Sequence, residues 1–172
     1  MKSYFRSRLA RLPHVLALGA LALCQSANVA STAQGNINFW GNITTNNACV
    51  ITLVQSGVLG VSTDGRQLSS KIAGGQPGIA DIASMRNYDI SVDGPSFFME
   101  APNGGNDEVT FTTTYSGQSI NRGRDFAEQP GSNKVKLRGA TSTTRVNINL
   151  VASKTTGFPG GTYRAITTVR CE

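Results

Sequence analysis

From Asn36 onward the chain alternates in short pieces bounded by Gly, Asn, Asp and Pro, and no segment keeps a helical period for three turns. A chain written this way can hide its apolar side chains only on the faces of strands joined by turns, which predicts an all-β fold. Ile37, Phe39, Gly41 and Ile43 share one face of a first strand, with Trp40 on the opposite face, and Cys49 to Val54 forms a second. Further strands are expected at Val58 to Ser62, Ile79 to Ser84, Asn87 to Val92, Phe97 to Met99, Val109 to Tyr115, Lys134 to Arg138, Arg145 to Val151 and Thr162 to Cys171. Lys71 to Gly78 and the polar, Gly-rich Ser116 to Ser132 read as loops, and Pro102 to Asp107 as a turn. Twisted sheets packed face to face satisfy this pattern best, so a two-sheet sandwich is expected ahead of a barrel.

The start of the chain reads as an export signal. Lys2, Arg6, Arg8 and Arg11 precede the apolar run Val15 to Leu23, and Ser31-Thr32-Ala33 supplies small residues at the cleavage positions. Residues 1–33 are therefore expected to be removed, leaving 34–172 as one sandwich domain. Four of the 16 Lys and Arg residues lie in that leader and none of the 10 acids does, so the sequence pI near 9.6 belongs largely to the leader. A nucleic-acid partner, which needs cations clustered on the folded domain, is not expected. Cleavage leaves Cys49 and Cys171 as an even pair in an oxidising compartment, and a bridge between them is expected. That bridge requires the first and last strands to lie close together.

Catalytic chemistry finds little to work with. His14 is the only histidine and lies in the leader, which removes imidazole acid/base catalysis, hydrolytic triads and histidine-held zinc from the expected domain. Asp89 with Asp93, or Glu100 with Asp107 and Glu108, are the carboxylates a glycosidase would need, yet each sits beside a turn or on a polar face. Asn103 to Glu108 offers oxygen ligands without the spacing of a calcium loop. No enzyme, metal or cofactor is expected. Lys134, Lys136 and Arg138 alternate on one strand face, where Arg145 can join them, and Arg122 and Arg124 stand on the expected long loop. These cations are candidate contacts for an acidic glycan, or a charged defence of an edge strand against further pairing.

The run Gly35-Asn36-Ile37-Asn38-Phe39-Trp40-Gly41-Asn42-Ile43, followed by Ala48-Cys49-Val50-Ile51, resembles the opening of pilins assembled by the chaperone–usher route. Pro159 to Val169 is similar to their last strand. The resemblance implies an immunoglobulin-like two-sheet sandwich, complete or lacking one strand that a periplasmic chaperone and then a neighbouring pilin-like subunit would donate. It implies a structural subunit of a surface fibre or coat, with the chaperone, an usher and neighbouring subunits as partners. Ile37, Phe39, Ile43, Tyr163, Ala165 and Val169 would form the strand–partner interface. The chain departs from the family pattern in pairing Cys49 with a terminal cysteine and in ending Arg170-Cys171-Glu172. A donor extension would precede Gly35, where cleavage after Ala33 leaves almost no chain; that describes a terminal subunit, a spore-coat-like relative or a self-contained glycan-binding sandwich.

Overall fold

The alternating pattern resolves into 11 strands in a computed structural model that describes residues 35–40, 49–138 and 141–172. The expected leader and its cleavage site, the turn after Trp40, and Ile43 lie outside the described residues, as do the side chains of Gly35–Trp40. In chain order the strands are β1 (Gly35–Trp40), β2 (Cys49–Gln55), β3 (Gly57–Val61), β4 (Gln67–Ser69), β5 (Gly78–Ser84) and β6 (Tyr88–Asp93). There follow β7 (Thr110–Asn121), β8 (Phe126–Pro130), β9 (Val135–Leu137), β10 (Ser142–Ser153) and β11 (Tyr163–Cys171). The described residues contain no helix, and the fold is the expected all-β sandwich.

One sheet runs β9-β6-β11-β1-β3. The other is organised on the long β10, which pairs β7 along one edge and β5 then β4 along the other, with β2 beyond β5 and β8 beyond β7. β3 belongs to both: Gly57 to Leu59 pair β1, and Gly60 and Val61 pair β4, so this strand turns the corner between the sheets. The strict alternation of buried and part-exposed residues along β10 shows why it holds the centre of its sheet. Val146, Ile148, Leu150 and Ala152 all face inward.

The core between the sheets has two parts. Ile82, Ile90, Val92, Tyr115, Leu137, Val146, Ile148 and Val169 fill one half around Cys49. Leu59, Leu68, Phe98, Leu150, Tyr163 and Ala165 fill the other. Phe98 is the hub of the second half, edge-on to Phe111 and Tyr163 with ring centroids 4.9 Å away in each case. It does not stand on a strand, contrary to the expectation for Phe97 to Met99. The Asn106 amide accepts from the Phe98 N–H at 2.7 Å and donates to its carbonyl at 3.0 Å, so one side chain replaces a strand partner. Phe97 and Met99 are left exposed.

The segment from Ser116 to Ser132 is the other correction. It is not a long loop: β7 continues to Asn121 and turns back as β8. A side chain at Gly117 would collide with the Phe126 ring, which lies across that glycine and packs edge-on to Tyr115 at 5.4 Å. Glycine here lets an aromatic cover the sheet, a role that composition alone reads as loop. β4 is also absent from the sequence-based expectation, being only three residues long.

Tyr115 carries a polar group into this core. Its hydroxyl lies 2.9 Å from the Ile90 carbonyl and 2.6 Å from that of Asn133, tying β7 to β6 and to the approach to β9. Replacing Tyr115 with Phe is expected to cost about 1 to 2 kcal/mol, since two carbonyls lose a donor while the ring packing survives. Urea unfolding of the variant checks it. Burial pushes the Tyr115 and Tyr163 phenols above their ordinary value. The folded state then holds these protons where the unfolded chain releases them, so stability is intact below about pH 10 and falls as pH rises beyond it. Unfolding midpoints between pH 8 and 12 should bend downward above about pH 10, and less so for Tyr115→Phe.

Candidate functional site

β1 is seated between two strands to which it is not adjacent in sequence. Along one edge it runs parallel to β11, from Gly35 beside Tyr163 to Trp40 beside Thr168. Along the other it is antiparallel to β3, Gly35 to Ile37 opposing Leu59 to Gly57. This is the only parallel ladder between the described strands. β1 therefore closes a gap that would otherwise leave the backbone of β11 and of the start of β3 unpaired, beside Leu59, Tyr163 and Ala165, which those two strands bury in the core. Of the interface residues expected from sequence, Tyr163, Ala165 and Val169 are buried. Ile37 and Phe39 take register positions opposite Ala165 and Thr167.

The Cys49–Cys171 bridge is present, its Cα atoms 6.4 Å apart. It fastens the first residue of β2 to the last of β11, and Val169 and Cys171 lie against the same half of the core as Cys49. The bond also limits how β1 is tethered. Trp40 ends beside Thr168, three residues from Cys171, a distance of about 10 Å along a strand. The stretch from Trp40 to Cys49 can span up to about 30 Å when extended, which is enough for β1 to reach this seat within its own chain.

The expected cations fall into two groups. Lys134 pairs with Glu172, and Lys136 stands opposite Asp89 on β6. Arg145 lies on the other sheet, its Nε and Nη2 donating to both carboxylate oxygens of Asp81 at 2.8 and 2.9 Å. Arg122, Arg124 and Arg138 gather at one end of the sandwich. Arg122 bridges to Thr143, the Arg124 N–H donates to the Thr144 hydroxyl, and its Nη1 donates to the Lys136 carbonyl at 2.7 Å. Arg86 belongs to the same end and was missed from the sequence because it stands on a different turn. Its signal is the pairing of Ser84 with Ser142, which only the fold supplies.

The candidate catalytic acids are mostly drawn into ion pairs or backbone pairing. Arg170 pairs with Asp93, and the backbone of Asp89 pairs with that of Glu172. Arg164 Nε stands 3.8 Å from Glu100. On the Asn103 to Glu108 turn, Asn106 holds Phe98 and the buried Lys154 ammonium donates to the Asp107 carbonyl, so a side-chain cation already occupies that ground. Asp64, Arg66, Glu108 and Lys154 line an open, mixed-charge depression of ≈ 470 Å³. Among the described residues no group of three or more His, Cys, Asp or Glu is placed to hold a metal, and no helix is long and apolar enough to cross a membrane. No protein-family model matches this chain, and no curated protein matches it.

Proposed function

We propose that this protein is an exported, non-catalytic structural subunit of a surface fibre or coat, joined to its neighbours by exchange of β1. One observation carries the reading: β1 is seated between β11 and β3, parallel to β11, in a sandwich whose other described ladders are antiparallel. A strand held at both edges by elements distant in the sequence can be supplied to the same seat by another copy, because the seat pairs with its backbone whichever chain it comes from. The donor is then β1 itself, and no extension before Gly35 is needed. The disulfide and the leader-like start support passage through an oxidising periplasm, where a chaperone would keep the seat filled until an usher joins subunits.

A second reading is a self-contained secreted sandwich that binds a glycan, and it is favoured by β1 already occupying its own seat. Refolding separates the two. The oxidised protein is unfolded in denaturant and refolded at increasing concentration, with and without a fluorescent peptide of residues 35–43. Exchange predicts concentration-dependent multimers, suppressed by the peptide, which stays bound through gel filtration. A monomer at every concentration that excludes the peptide would overturn the exchange reading in favour of the self-contained one.

A further inference from the structure

We infer that Arg86, Arg122, Arg124 and Arg138 form a binding surface for an anionic polysaccharide at the end of the sandwich where β5, β9 and β10 begin or end. This inference does not rest on strand exchange. Three separate connections place the four arginines at this end. Arg86 stands in the β5–β6 turn, two residues beyond Ser84, whose hydroxyl lies 3.0 Å from that of Ser142. The Ser142 hydroxyl in turn donates to the Arg138 carbonyl at 2.8 Å. Arg122 and Arg124 lie against Thr143 and Thr144, the next two residues of β10. Gly123 between them is packed so closely that a side chain there would collide with the Thr143 carbonyl. All four arginines are exposed.

This end is short of acids. All 10 Asp and Glu residues lie among the described ones, and most are engaged or placed elsewhere. Asp81, Asp93 and Glu172 answer Arg145, Arg170 and Lys134, while Glu128 answers Lys71. Asp125, beside Arg124, accepts from the Ser119 N–H at 2.8 Å. The guanidinium groups of Arg86, Arg122 and Arg138 find no hydrogen bond or ion pair among the described residues. The backbone carries strain at the same place: Arg122 and Thr141 have φ of 50° and 45°, and for a β-branched residue that is a conformation the surroundings must impose.

Four forked cations without matching carboxylates fit a ligand that brings planar oxyanions at intervals, because each guanidinium can hold a carboxylate or sulfate through two parallel hydrogen bonds. Exposed Asn121 and Thr141 beside them suit sugar hydroxyls. Phe126 on β8 is turned edge-on to Tyr115, and Tyr88, two residues from Arg86, packs against the core, so neither stands free as a platform for stacking a base, which favours a saccharide over single-stranded nucleic acid.

The test measures binding of the oxidised protein to immobilised heparin, polygalacturonate, neutral dextran and single-stranded DNA across a salt series. Retention on heparin or polygalacturonate but not on dextran is expected, and whichever binds tighter assigns sulfate or carboxylate. Arg122→Gln/Arg138→Gln should weaken binding by about tenfold or more, whereas Lys134→Gln/Lys136→Gln should change it by less than about threefold. Arg122→Lys/Arg138→Lys keeps the charge without the fork and should give an intermediate loss, which separates recognition from general attraction. Equal losses in the arginine and lysine pairs would reduce the surface to general positive charge and overturn the inference. DNA binding as tight as glycan binding, or no retention of the unaltered protein, would overturn it as well, and both are read without any variant.

Discussion

Removing the Cys49–Cys171 bond should lower the free energy of unfolding by about 4 to 5 kcal/mol. The sequence separation is 122 residues, so the bond shortens nearly the longest loop the described chain can close and removes correspondingly many conformations from the unfolded state. Its location adds a second contribution. Cys49 is buried in the core and Cys171 packs against the same cluster, so the bond also holds the ends of β2 and β11, strands of different sheets, at one place. The comparison is urea unfolding of the oxidised protein against Cys49→Ala/Cys171→Ala. A lower midpoint with a larger denaturant dependence is expected, because the uncrosslinked chain unfolds to a more open state. A loss below about 1 kcal/mol would mean that the native state gains nothing from the closure.

Deleting the residues before Cys49 should have a still more visible consequence, since it keeps the disulfide and empties the seat. β11 would lose its parallel partner from Tyr163 to Thr168, and β3 its partner from Gly57 to Leu59. Six residues of β11 backbone would face water on that edge beside buried Leu59, Tyr163 and Ala165, an arrangement that invites pairing with other chains. The shortened protein should bind a hydrophobic dye, aggregate, and lose cooperative unfolding. Adding a peptide of residues 35–43 should restore a soluble monomer with a cooperative transition. If the shortened protein instead unfolds cooperatively at the original midpoint, β1 contributes nothing to the fold and strand exchange has no energetic basis.

The sequence by itself determined the fold class, the strands β10 and β11, and the disulfide. β10 and β11 were legible because each alternates buried and part-exposed residues along its length, a period that only a strand in a two-layer fold satisfies. Cys49 and Cys171 were legible as a pair because no other cysteine follows the leader-like segment. The β7–β8 hairpin looked like a loop because its outward residues are polar and Gly117 is small to admit Phe126. The Phe97 to Met99 segment looked like a strand because three apolar residues stand together, while Asn106, eight residues on from Phe98, takes over its backbone.

Only the tertiary structure decided where β1 goes and which cations stand together. A strand's own pattern states which face it buries, but not its partners or their direction, because any edge offers the same backbone groups. The parallel seat beside β11 depends on residues more than a hundred positions away. The same holds for charge. Lys134, Lys136 and Arg138 share a period, yet Lys134 is answered by Glu172 and Lys136 faces Asp89, acids brought from β11's end and from β6. Arg86, Arg122 and Arg124 come from other turns and meet Arg138 only because β5, β7 and β9 finish or begin around the first residues of β10. Periodicity is written locally along a chain, whereas the balance of charge at a surface is set by whichever elements the packing brings to it.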